Sequence, residues 1–187
     1  FIYNHLAAVE SNQLANGHSF SIDSHFVSAK ILMSKYNDSG QRIVRASRKN
    51  EYWRSEYYSR LSNIVVHTPE SDKLDETPSE KKRRKESFFI DAQEAFNENR
   101  PLAIAPEGTS ETPDNVTNKS PGPFKPGAFL LANKLNPRPM IIPIALANFD
   151  FPISKTIYSA VIKEGFYIDS TQRDLAKNDR CIISTKI

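Results

Sequence analysis

Short apolar runs alternate with longer amphipathic stretches along the chain. The runs Ile43–Ala46, Ile64–His67, Leu102–Ala105 and Met140–Leu146 are bounded by polar or proline-containing segments, and each reads as a strand. Their near-continuous apolarity suits strands covered on both faces, which favours parallel pairing. Helical spacing predicts helices over Ser24–Lys35, Ser79–Glu98 and Gly127–Leu135. In the second, Phe88, Ala92, Ala95 and Phe96 fall on one face, and Pro101 follows soon after its end. Thr68–Thr77, acidic with Pro69, and Ser110–Pro126, with Pro113, Pro121, Pro123 and Pro126, read as loops. This order predicts an α/β fold: a mixed, largely parallel central sheet flanked by helices, in one domain over residues 1–187.

Composition narrows the class. With 39% apolar residues, 11 Phe and 7 Tyr, the chain has enough apolar area to offset its conformational entropy, which excludes intrinsic disorder. The single cysteine, Cys181, excludes a disulfide scaffold and suits a reducing, cytoplasmic setting. No apolar run is long enough to span a bilayer. The chain starts at Phe1 without a leader-like stretch, the expectation for a domain trimmed at its N-terminus. A net charge of +3 is too small to announce a nucleic-acid partner. The sequons at Asn37, Asn115 and Asn118 read as chance matches in polar loops.

Three histidine patterns compete near the start. His18 and Asp23 are five apart, which on a regular helix separates them by about 140°. They can cooperate only if His18 lies in a strand or loop and Asp23 in the first turn of the following helix. Asp23 would then fix the imidazole tautomer and stabilise the imidazolium. The plainer reading makes Asp23 a helix N-cap and His18 a loop residue. His5 and Glu10 repeat the spacing with a longer acid. Gly17-His18-Ser19-Phe20-Ser21 resembles a nucleophile elbow, but its last position is Ser21 instead of glycine. His18, Asp23, His25 and His67 could be assembled into a metal set on paper, yet they show no convincing ligand spacing.

Farther on, Leu102-Ala-Ile-Ala-Pro-Glu-Gly-Thr-Ser110 reads as a buried strand delivering a carboxylate, a glycine and two hydroxyls to its C-terminal edge. Open α/β sheets place ligands at that edge. An ordinary strand-to-loop turn with a solvated Glu107 is the competing reading.

Taken in order, His18-x4-Asp23, Ile64-Val-Val-His67, Pro106-Glu-Gly-Thr109, Pro123-Phe-Lys-Pro-Gly-Ala-Phe129 and Ile142-Pro-Ile-Ala-Leu146 resemble the glycerol-phosphate and lysophosphatidate acyltransferase family, over roughly Asn16 to Asp150. The resemblance implies transfer of a fatty acyl group from acyl-coenzyme A or acyl carrier protein to a glycerol-3-phosphate or lysophospholipid hydroxyl. It implies no cofactor and no metal. It makes His18 the general base oriented by Asp23, and assigns the acceptor to Glu107, Gly108, Thr109 and Ser110. The order of the later blocks favours His18 and Asp23 over His5 and Glu10, while Asn4-His5 matches the Asn-His pair usual in the family.

Ser110 stands where the family usually has arginine, and His67, Thr68 and Pro69 stand near the end of the second block. Phosphate recognition would then fall to His67, Lys125 or Arg48. Lys81, Lys82, Arg83, Arg84 and Lys85 open a predicted helix, where cations oppose the macrodipole. They suit anionic headgroups of a membrane surface, coenzyme A phosphates or an acidic carrier, or are simply a solvated charge run. Without these five the chain carries more acids than bases. The alternative to an enzyme is a non-catalytic member of the same fold that binds lipid or acyl carrier protein.

Overall fold

The structure is a computed structural model that describes residues 1–6, 21–47, 52–67, 76–108, 122 and 124–168. Among the described residues six short strands form the sheet: β1 (Ile2–Tyr3), β2 (Gln41–Arg45), β3 (Ile64–Val66), β4 (Leu102–Ala103), β5 (Pro143–Ala147) and β6 (Ser159–Ile162). They form two three-stranded ladders, β3-β2-β4 and β1-β5-β6. A parallel bridge, Ile2↔Ile104, joins the ladders through β1 and β4. Tyr3 N–H donates to the Ile104 carbonyl and Ile104 N–H to the Phe1 carbonyl. Among the described strands β6 is the one that runs antiparallel, against β5, and an isolated antiparallel bridge joins Ile141 to Phe166. The α/β class and the largely parallel sheet are therefore as the sequence predicts.

Helices cover both faces. On one side α1 (Ile22–Phe26) continues through a π-helical segment (Val27–Leu32) into α2 (Met33–Tyr36). Val27, Ile31 and Leu32 pack there on Tyr3, Ala103, Ile144, Leu146 and Phe149. On the other side α4 (Pro78–Asn97) brings Ala92 and Ala95 onto Ile64, and α5 (Gly127–Lys134) brings Phe129 and Ala132 onto Ile2. Ile2 and Tyr3 thus serve opposite faces, as successive strand residues must. Burial of each large apolar side chain of this kind contributes roughly 1.5–3 kcal/mol.

Several boundaries depart from expectation. α4 starts at Pro78, because Thr77 and Glu80 form a reciprocal capping box that defines the first turn. β1, β6 and the helix α3 (Tyr52–Arg60) were not expected. A two-residue strand carries no periodicity, and β6 is a mostly exposed edge strand. Between α2 and β2 the chain turns at Gly40, with φ +72°. A Cβ there would meet Leu32 Cδ1 at 2.6 Å and the Pro101 carbonyl oxygen at 2.8 Å.

Candidate active site

Parallel strands deliver their following residues to one edge, and β1 delivers Asn4 and His5. Asn4 is 4% exposed, and its carboxamide bonds both main-chain groups of Leu146. Its Oδ1 accepts from Leu146 N–H at 2.7 Å, and its Nδ2 donates to the Leu146 carbonyl at 2.9 Å. The next residue, His5, turns its ring to α1, where Nδ1 lies 2.5 Å from Asp23 Oδ2. The His5 side chain is 20% exposed, so it faces an accessible space while its partner is sealed.

Asp23 is 1% exposed and accepts from every side. Oδ2 takes Leu6 N–H at 2.9 Å besides the imidazole; Oδ1 takes Ser24 N–H at 2.6 Å and the Ser24 hydroxyl at 3.3 Å. Both carboxylate oxygens are thereby satisfied despite their burial. The residue lies in the first turn of α1, where the helix dipole favours negative charge. Asp23 is therefore inside the helix, with Ser21 at the cap position, and is not the N-cap that the plainer reading made it. The Tyr3 hydroxyl donates to Ser24 Oγ at 3.1 Å, completing a buried chain behind Asp23. Burial first, and then the Asp23 charge, push the Tyr3 hydroxyl well above its ordinary pKa, so it stays a donor.

His25 faces another way. Its Nδ1–H donates to the Ser21 carbonyl at 2.6 Å, which leaves Nε2 to accept from the Tyr57 hydroxyl of α3. Burial lowers its pKa, and the charge of Arg42 lowers it further against the opposing Ser21 carbonyl. This ring ties α1 to α3, which removes it from the metal set imagined on the sequence. Among the described residues no three His, Cys, Asp or Glu side chains gather to hold a metal.

The second part of the site lies on the neighbouring strand. β4 neighbours β1 through the Ile2↔Ile104 bridge, and the chain turns just beyond it at Glu107 and Gly108. Glu107 is buried, which excludes the solvated turn. Gly108 follows with φ +75°, and Lys125 Nζ lies 3.0 Å from where a Cβ on Gly108 would stand. Lys125 N–H donates to the Pro106 carbonyl at 2.8 Å, so the segment entering α5 is fastened to this turn. Glycine here accommodates both the left-handed backbone and the lysine laid across it. His67 follows β3 at the same sheet edge.

The structure thus brings Glu107, Gly108 and Lys125 together, and gives Asp23 a different histidine from the one expected. The sequence reading coupled Asp23 to His18 at five residues' distance; Asp23 holds His5, across 18 positions. His18, Glu10, Arg48, Thr109 and Ser110 lie outside the described residues. Asn4-His5 had been matched to the family's usual pair; what was missed is that it follows a buried strand and so comes within reach of Asp23, which had been weighed only against its near neighbour. The basic cluster also changes character. Arg84 is engaged by both carboxylate oxygens of Glu76, and Lys82 faces Glu86 at 3.8 Å, whereas Arg83 and Lys85 are exposed on α4.

A neutral imidazole that donates through Nδ1 to a carboxylate keeps its basic lone pair on Nε2, and can take a proton from an approaching hydroxyl. An apolar cleft of about 280 Å³, lined by Phe1, Tyr36, Phe96 and Met140 among others, opens at the opposite end of the strands and does not belong to this site. No curated protein matches the chain. A model of the family described as Acyltransferase matches residues 16–147, a stretch that includes Asp23, the Glu107–Gly108 turn and Lys125 and begins beyond His5. A match through most of the length, on a largely parallel sheet whose edge brings a histidine onto a buried carboxylate, leads to one conclusion: the chain belongs to the acyltransferase family.

Proposed function

We propose that this protein is a glycerolipid O-acyltransferase in which His5, held by Asp23, is the general base. The donor is a fatty acyl thioester of coenzyme A or of acyl carrier protein. The acceptor is the hydroxyl of glycerol-3-phosphate or of a lysophospholipid. The observation that supports this reading is the 2.5 Å contact between His5 Nδ1 and a fully hydrogen-bonded, buried Asp23 at the edge that also carries Glu107.

A thioester is already activated, so the harder step is deprotonation of the alcohol as it attacks. His5 Nε2 takes the hydroxyl proton while the oxygen bonds to the thioester carbonyl carbon. The tetrahedral intermediate then collapses, the C–S bond breaks, and the imidazolium returns its proton to the leaving thiolate. Asp23 stabilises the imidazolium between these two transfers. Lys125, laid across Gly108, supplies a positive charge for an acceptor phosphate, with His67 farther along the edge. Arg83 and Lys85 suit contact with an anionic membrane surface or an acidic donor.

The test is incubation with palmitoyl-coenzyme A or palmitoyl acyl carrier protein and a panel of acceptors: glycerol-3-phosphate, lysophosphatidate and water alone. Formation of an acylated glycerolipid, with thiol released in equal amount, is expected. Thioester or acceptor binding without turnover across the panel would instead establish the non-catalytic reading.

A further inference from the structure

We infer that Asn4 is a positioning residue for the base, acting as a side-chain substitute for a strand residue; this rests on the reading of His5 as the general base. In the β1–β5 ladder Ile2 pairs with Pro143 and Tyr3 with Ile144, and Ile2 N–H donates to the Ile142 carbonyl. Carried on by main chain alone, the parallel pattern would offer the residue 4 carbonyl to Leu146 N–H. The Asn4 carboxamide takes that N–H through Oδ1, and also bonds the Leu146 carbonyl through Nδ2. A primary amide has the donor and acceptor of a peptide group, so it satisfies the sheet while the main chain leaves it.

That release has a direct consequence. The chain beyond Asn4 turns toward α1, where both the His5 ring and Leu6 N–H reach the same oxygen, Asp23 Oδ2. Held at one end by Leu146 and at the other by Asp23, the His5 main chain has no freedom to slide along the sheet edge. A carboxamide held in two bonds and 4% exposed also has no slack of its own. Asn4 touches neither donor nor acceptor; it acts through His5.

The measurement compares Asn4→Ala and Asn4→Asp with the unaltered chain. Each is followed by kcat and KM over a pH series, melting temperature, and the low-field proton signal of an imidazole Nδ1–H bound to a carboxylate. A displaced base costs up to about 10²-fold in rate. Asn4→Ala is expected to lose kcat on that scale with KM unchanged, and to lose the low-field signal. Asn4→Asp reproduces the donor and acceptor only when protonated. Its kcat, relative to the unaltered chain, is therefore expected to rise as pH falls, which Asn4→Ala cannot do. If both variants keep kcat and the low-field signal, Asn4 does not position the base. If Asn4→Ala melts early yet keeps its kcat when folded, its role is structural only and the inference fails. Full activity in His5→Ala would overturn the prior reading instead, whatever the Asn4 variants do.

Discussion

Replacing Asp23 with asparagine changes one oxygen into an amide and leaves the shape intact. Asp23 now accepts from His5 Nδ1, Leu6 N–H, Ser24 N–H and the Ser24 hydroxyl, two donors on each oxygen. Asparagine can accept on one side only, so its NH₂ must face the donors of the other. On either side one of the two groups can re-orient, the imidazole by changing tautomer and the Ser24 hydroxyl by rotating, so one buried N–H is left unsatisfied and Asp23→Asn destabilises the fold by about 1–3 kcal/mol. If the NH₂ faces His5, Nδ1 must become the acceptor and the ring proton moves to Nε2, which can then no longer take a proton. If it faces Ser24, the imidazolium still loses its counter-charge. Either way kcat falls by about 10²- to 10⁴-fold, while KM, set by substrate contacts elsewhere, moves little. Thiol release from palmitoyl-coenzyme A, under conditions where a parallel melting curve shows the variant folded, measures this directly. A folded Asp23→Asn protein with unaltered kcat would refute the argument.

Other consequences can be measured separately. Deleting residues 6–18 brings Asn4-His5 directly before Ser19-Phe-Ser-Ile-Asp23, and passes the Leu6 N–H position to Ser19; activity comparable to the full chain is expected, and its loss in a folded deletion protein would count against the pair. Gly40→Ala adds a left-handed backbone cost of about 1–2 kcal/mol to an overpacking cost of about 1–3 kcal/mol, so chemical denaturation should show a loss of roughly 2–5 kcal/mol. His25 is held neutral in the fold, with its pKa below the ordinary value, so the unfolded chain binds more protons there and stability falls as pH drops through the ordinary histidine range. Melting curves from neutral to mildly acidic pH should show this fall, and His25→Gln should flatten it; a slope unchanged by the substitution would refute the assignment.

The parts legible in the sequence are those written in local pattern. The strand at Ile64, the amphipathic α4 and the apolar α5 each declare their class within a few residues, because one side must be buried. The Glu107–Gly108 turn was legible for the same reason: a buried strand ends there, and glycine takes the backbone angle that follows. β1 was invisible because two residues hold no period, although one faces α5 and the other the helix that carries Asp23. The histidine partner was misread for a related reason. Spacing governs contact only within one continuous element, and His5 and Asp23 sit on different ones, joined by residues 7–20, which lie outside the described structure. The basic run was legible as composition alone; that Arg84 spends its charge on Glu76 is decided by how the chain before α4 folds back on it.

The proposed base is His5, paired with Asp23 at the sheet edge. Single substitutions His5→Ala and His18→Ala, assayed side by side for acyl transfer with melting curves to establish folding, test it most directly. His5→Ala is expected to lose about 10²- to 10⁴-fold in kcat while His18→Ala keeps the rate of the unaltered chain. A folded His5→Ala protein at full activity, with His18→Ala inactive, would contradict it.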